Sequence, residues 1–246
     1  MDDLLQQNRA ARDAVLGRVR TALAKAGDRA AARTEAARYV AARVQGPRPT
    51  LEADLVARFM LRAVDMASTV ERIGALEEVP AAVARYLDAL QLPEALAPQK
   101  SHVGVCWPEL AGLDWEGAGL VIEARPTTGD DRLGITGCFC GIAETGTLVF
   151  VSGADTPTAT TLLPDTHVAV LDASRILPGM EEAFTQVRAE LGALPRAINL
   201  ISGPSRTGDI EQTIVLGAHG PFRLHVLVLE RGAAPQRAIE PTEIRA

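Results

Sequence analysis

Three stretches bring together residue types that can do chemistry in a density no hydrophobic core requires. The first is "SGPSRTGDIE", residues 202–211. Gly203 and Gly208 allow a close backbone approach, and Pro204 stiffens the turn. Ser202, Ser205 and Thr207 offer hydroxyls, and Arg206 offers a planar fork for a carboxylate or phosphate. A helix starting near Asp209 would add free N–H groups to such an anion site. The competing reading is a capped turn in which Arg206 pairs with Asp209 or Glu211. The second stretch is "GITGCFCGIAETGTLVF", residues 134–150, with too many glycines for a plain helix. Its Glu144-Thr145-Gly146 precedes a buried-strand pattern. A carboxylate there can serve as nucleophile, general base or arginine partner, or can simply anchor the glycine-rich turn. The third is "GAHGPFRLH", where His219 stands before Gly220-Pro221 in a tight turn and can titrate near neutral pH.

The other candidates read as structural. His225 alternates within an apolar strand, and His102 and His167 begin strands. The cysteines, Cys106, Cys138 and Cys140, lack the four-ligand spacing of structural zinc or an iron–sulfur cluster and read as small core residues. No cofactor and no metal site are expected. The strong nucleotide fingerprints GxGxxG and GxxxxGK[ST] do not occur.

These groups must be positioned by a chain of 246 residues, enough for a sizeable core. Aromatic residues make up only 4%, too few for a base-stacking surface, and the net charge of -6 does not suit a polyanion binder, so no nucleic-acid partner is expected. The charge is uneven: residues 1–50 carry ten Lys/Arg against five Asp/Glu, a net +5, and the remainder a net -11. No apolar run has the length of a membrane span, and the start lacks the order of a signal peptide. With few cysteines, the expected compartment is a reducing cytoplasm.

The pattern predicts a helical extension over 1–49, an α/β domain over 50–231 and an exposed tail over 232–246. Val15, Leu16, Val19 and Leu23 repeat at helical spacing. After the break at "VQGPRPT", with Thr50 as a cap, Leu51, Leu55, Phe59, Met66, Val70 and Ile73 mark the longest amphipathic stripe. A shorter helix follows, with Pro80 in its first turn and Pro93 at its end. From residue 100 the texture changes to short apolar runs, "HVGVC", "GLVIEA", "TLVFV", "HVAVL", "AINLI" and "LHVLVL". These fit strands buried on both faces of a mainly parallel sheet, with one helix ending at Gly192 between two of them. In such a sheet the loop after 197–201 lies beyond a strand's carboxyl end, where ligands bind.

Taken together, "GIAETGTLVF", "TLLPDTHVAVLD", "ISGPSRTGDIEQTIVLGAHGP" and "LHVLVLE" resemble, in order and spacing, the LUD domain of the lactate utilization protein C (LutC/YkgG) family. "RDAVLGRVRTAL" and "LVARFMLRAVDMASTVERI" resemble that family's first two helices. The resemblance implies a three-layer α/β/α fold of the NagB/RpiA/CoA-transferase-like group. It also implies a bacterial cytoplasmic component of L-lactate oxidation to pyruvate. The implied partners are iron–sulfur lactate utilization subunits (LutA-like and LutB-like), which would carry the clusters. Its signature residues fall here on Glu144, Thr145, Gly146, Ser202, Gly203, Pro204, Ser205, Arg206, Thr207, Asp209, Glu211, His219 and Gly220. They are expected to hold a small carboxylate or phosphate-bearing ligand, with Glu144 and His219 able to act on it. The alternative is a stand-alone CoA-transferase-like enzyme in which Glu144 accepts the acyl group. Its Glu-Thr-Gly departs from the Glu-Asn-Gly common in those enzymes.

Overall fold

The computed structural model describes residues 2–24, 29–90, 102–208, 214–217, 219–232 and 236–239. Contacts divide the chain into two compact units, residues 1–49 and 50–246. The first holds α1 (Asp2–Ala24) and α2 (Arg29–Ala42). On α1 the apolar stripe Val15, Val19 and Leu23 is about half exposed.

The second unit begins with α3 (Leu55–Asp65), β1 (Thr69–Ile73) and α4 (Val79–Ala89). Asp54, not Thr50, caps α3, its carboxylate accepting the Ala57 N–H at 2.9 Å. The amphipathic stripe expected to run to Ile73 is cut after Asp65. Ala67 adopts a left-handed conformation (φ 65°) that turns the chain, and the β-branched run that follows becomes β1. Pro80 sits in the first turn of α4, as its spacing predicts. The expected end of that helix at Pro93 lies outside the described residues.

Next come β2 (Val103–Cys106), β3 (Val121–Ala124), β4 (Leu133–Gly137), β5 (Cys140–Ile142) and β6 (Thr147–Val151). They are followed by α5 (Ala159–Leu162), β7 (Thr166–Asp172), β8 (Ile176–Leu177), α6 (Met180–Leu191) and β9 (Ile198–Ile201). The chain closes with β10 (Arg206–Gly208), β11 (Ile214–Leu216), β12 (Arg223–Leu229) and β13 (Gln236–Ile239).

The main sheet has the order β13-β1-β12-β7-β4-β2-β3. Six of its strands are parallel, and β13 joins antiparallel to β1, so residues 236–239, within the expected tail, form an edge strand. The central strands are apolar on both sides. Val168 and Val170 of β7, with Leu227 and Leu229 of β12, pack under Val83 and Leu87 of α4. On the opposite face Ala169, Leu171, Val226 and Val228 meet Phe59, Met60 and Ala63 of α3. This two-sided burial is why these strands read as near-continuous apolar runs.

Two runs expected in that sheet do not join it. "TLVFV" (β6) and "AINLI" (β9) pair antiparallel with each other in a separate four-stranded sheet, order β8-β5-β6-β9. One face of that sheet sends Leu148 and Phe150 into the α3 core. The other packs Cys140, Ile142 and Val149 against Ala183 of α6. The helix α6 stops at Gly192, whose N–H still donates to the Arg188 carbonyl at 3.2 Å and whose φ of 67° turns the following chain out of the helix.

Removing residues 1–49 is expected to leave 50–246 melting in one cooperative transition by circular dichroism, because all three described hydrophobic clusters lie within the second unit. A broad, non-cooperative melt would assign the N-terminal segment to the fold's core.

Candidate functional site

The second and first chemical stretches meet at the last turn of α3. The β5–β6 hairpin turn is closed by the Gly146 N–H donating to the Ile142 carbonyl at 2.9 Å. Gly146 (φ 65°) lies against the backbone of Arg62 and Ala63, and Gly203 (φ 82°) lies against the Met66 carbonyl. Neither position has room for a Cβ, and both take a backbone conformation that L side chains rarely adopt. With the two turns pressed on one helix end, their hydroxyls form a chain. Thr145 and Thr147 share a hydrogen bond of 2.6 Å, and Thr147 and Ser202 another of 2.6 Å.

Ser205 joins the first stretch to the third. Its N–H donates to the Pro221 carbonyl at 2.9 Å, and its carbonyl accepts the Gly217 N–H at 3.0 Å. Its hydroxyl accepts the His219 N–H at 3.4 Å, and Gly220 packs on its Cβ. His219 itself is exposed. Arg206 is exposed and opens β10, paired with Leu216 of β11. Thr207 follows it in the same strand. Asp209 and Glu211, and with them the expected helix start and the arginine–carboxylate cap, lie outside the described residues. Glu144 is half-buried in the hairpin turn, and its N–H donates to the Pro178 carbonyl at 3.1 Å.

The position of this cluster in the fold differs from the expectation. The loop at 202–205 follows β9, an antiparallel strand of the second sheet, and binds the segment that leads into β12. There the Arg223 N–H donates to the Asp165 carbonyl, and its Nε donates to Thr166 Oγ1 at 2.9 Å. The signature turns therefore gather at the amino ends of β7 and β12. The expectation of a carboxyl-end loop assumed that the strand before it belonged to the parallel sheet.

The carboxyl ends hold something else. A crevice of about 310 Å³ is lined by Trp107, Glu109, Cys138, Phe139, Arg175 and Glu190, among others. Sequence reading passed over Trp107, Glu109 and Arg175. The signal available was "WPE" directly after the run "HVGVC", where strand-end loops carry function; "GCF" follows β4, a glycine-containing run that does not read as a strand.

Of the three histidines read as structural, His167 and His225 are buried, whereas His102 is partly exposed, with its Nε2 3.2 Å from Asp88 Oδ1. His225 is fully buried, stacked on Tyr86 at 4.1 Å, and its Nδ1 shares a 2.7 Å hydrogen bond with Thr69 Oγ1. His167 is fully buried, with Nε2 sharing a 2.8 Å hydrogen bond with Thr136 Oγ1. Burial holds both rings neutral, pushing each pKa down to about 3, with the Arg85 charge adding to the effect at His225. Cys106 and Cys140 are buried. Among the described residues, no group of three or more His, Cys, Asp and Glu is placed to hold a metal ion. No described helix is long and apolar enough to cross a membrane.

Comparison with known proteins follows these motifs. Residues 113–229 match the LUD domain family, a span that contains the turns at 144–147, 202–206 and 219–220. "Lactate utilization protein C" of Bacillus subtilis is 38% identical over 137 residues, which are 54% of this chain and 57% of that protein. Its namesake in Bacillus licheniformis is 32% identical over 128 residues, 50% of this chain and 53% of that one. The chain spans about half the length of the curated relatives it matches. The crystal structure of a DUF162 family protein from Deinococcus radiodurans aligns with a TM-score of 0.50 at 25% identity, covering 74% of this chain and all of that one. Residues 113–229 are thus similar to the LUD domain, the chain has an α/β fold, and it is similar to proteins named lactate utilization protein C.

Two outcomes follow from the geometry. Gly203→Ala should cost about 2 kcal/mol or more, since it adds a clash with Met66 to the penalty of a left-handed residue. Gly192→Ala, equally left-handed but in open space, should cost only about 1 kcal/mol. Urea denaturation of both variants separates the two terms. For the histidines, the unfolded state binds protons below the ordinary pKa of about 6.5, which the folded state refuses down to about 3. Stability is therefore fully present above pH ~6.5 and falls as pH drops, approaching ~1.4 kcal/mol per pH unit for each ring. Between pH 6.5 and 5 this precedes the loss of Asp131, held down to about 2 chiefly by its hydrogen bond from Arg125. Denaturation midpoints over that range should fall, and should fall less steeply in His225→Gln.

Proposed function

We propose that this LUD-domain protein is a component of an L-lactate utilization system, acting with iron–sulfur partner subunits in the oxidation of L-lactate to pyruvate. The observation that carries the reading is the match of residues 113–229, which hold the signature turns, to the LUD domain, together with the similarity of the chain to curated relatives named lactate utilization protein C. The geometry supports it by joining those turns: Thr145, Thr147 and Ser202 form one hydroxyl chain, and Ser205 binds the His219 segment. The scarcity of ligands suits a division of labour in which the partners carry the redox centres. In this reading the exposed Arg206 fork, beside Ser205, supplies the charge for a small carboxylate.

Two measurements test it. Reconstitution with two cysteine-rich iron–sulfur subunits should give co-elution on gel filtration and L-lactate-dependent dye reduction that drops when this chain is left out. Equal activity without it would remove the chain from the system. Calorimetric titration of L-lactate and pyruvate should show weaker binding, by roughly fivefold to tenfold, in Arg206→Ala. That is the low end for a charged hydrogen bond, as befits a solvent-facing guanidinium. Arg206→Lys should recover only part of the loss.

A further inference from the structure

The crevice at the carboxyl ends stands where an open parallel sheet is built to bind. From β2 the chain moves outward to β3 at the edge, then passes back across β2 to form β4 on its other side. Connections leaving β2 and β4 therefore diverge, and a cleft opens between them, the topological switch point of the sheet. Trp107 and Glu109 come from the loop after β2, and Cys138 and Phe139 from the segment after β4. Val151, the end of β6, closes one side, and Arg175 and Glu190 close another.

The polar groups in this cleft select a ligand class. Glu109 lies against Gly137, the last residue of β4, so closely that a Cβ there would collide with its Oε1. Its carboxylate accepts the Gly137 N–H, which lowers its pKa. Partial loss of surrounding water on the cleft side is the larger effect and raises the group, although the residue as a whole remains exposed. The nearby cation is already engaged. Arg175 donates from Nε to the Phe139 carbonyl and from Nη2 to both oxygens of Glu190, at 3.2 and 3.0 Å. Its guanidinium also lies 4.7 Å from the centre of the Phe139 ring. With Arg175 neutralised by Glu190, Glu109 leaves the cleft net negative. An anion would meet two carboxylates there, whereas a hydrogen-bond donor or a cation would meet a partner.

Size and lining narrow the class. A volume of about 310 Å³ is at the small end for ligand pockets, room for a single-ring compound rather than a dinucleotide. Trp107, Phe139 and Val151 give apolar and aromatic walls. Covalent capture is disfavoured: Cys138 donates its S–H to the Cys140 carbonyl at 3.1 Å, and burial pushes its pKa far above that of a free thiol. We propose that this crevice is a second binding site, separate from the signature turns, for a small flat amidine or amino-substituted nitrogen heterocycle. Its donor edge pairs with Glu109, and its ring lies against Trp107 and Phe139.

Benzamidine is the probe. In the full chain carrying Trp115→Phe, Trp107 is the remaining tryptophan, and its emission should change saturably with benzamidine. Affinity should fall about five- to tenfold in Glu109→Gln, the low end for a charged hydrogen bond, since Glu109 is exposed at the mouth of the cleft. Gly137→Ala, which drives Glu109 from its place, should give a similar loss. Calorimetry on the two variants with Trp115 retained gives the same comparison if the tryptophan substitution disturbs folding, and thermal melts confirm that each variant is folded. The proposal is overturned by no saturable benzamidine binding, by equal affinity in Glu109→Gln, or by tighter binding of acetate or L-lactate than of benzamidine at this tryptophan.

Discussion

The close approach of two glycine backbones to the last turn of α3 is the contact on which the second half of the molecule depends. Gly146 and Gly203 come from turns far apart in sequence, yet both rest on residues 62–66 without a side chain between. The helix is itself clamped to the main sheet by Phe59, Met60 and Ala63, so the turns inherit its position. Any side chain at either glycine would lift the second sheet away from the first. The hydroxyl chain Thr145–Thr147–Ser202 would then lose its register, since each of its two links is a 2.6 Å hydrogen bond. The glycines in these motifs are thus explained by packing before any ligand is invoked.

The second sheet, fixed at one end, reaches both sides of the domain. Thr147, the first residue of β6, belongs to the hydroxyl chain at the amino ends of β7 and β12, whereas Val151, its last, lines the crevice at the carboxyl ends. At about 3.3 Å per residue the two are roughly 13 Å apart. Two chemically different surfaces are therefore held at opposite ends of one short strand. The first is rich in hydroxyls with Arg206 beside it. The second is aromatic, with a carboxylate, Glu109, for which no ion pair is seen among the described residues. The two differ in chemistry, and neither can be shifted without the other.

Polar groups inside the main layers follow a single rule: each is given a partner or kept neutral. His167 and His225 stay uncharged and share hydrogen bonds with threonines on adjacent strands, Thr136 and Thr69. Glu71, nearly buried in β1, receives Arg85 from α4 at 2.5 Å. Leaving such a carboxylate unpaired would be costly, so α4 is tied to β1 by an ion pair as well as by its apolar face. These partnerships fix which strand lies beside which, a specificity that apolar contacts alone supply weakly.

Much of this was written locally. The runs at β7 and β12 announced themselves because strands covered on both faces need apolar residues at nearly every position. Pro80 and Gly192 marked helix ends because φ restrictions act on the residue itself. The dense mixture at 202–206 and 144–147 was visible by residue type alone. The sheet each run would join was not visible. "TLVFV" has the same texture as "HVAVL", yet one lies in the antiparallel second sheet and the other at the centre of the parallel one. Local periodicity reports that a segment is buried, while its partner is chosen by pairing across long stretches of chain. For that reason the sequence supplied the residues of the signature turns but put them at the wrong end of the sheet. It also gave no hint that Glu109 would settle on the backbone of Gly137. Only the folded order of the strands, which sets β2 beside β4 and leaves a cleft where their connections part, brings those two together.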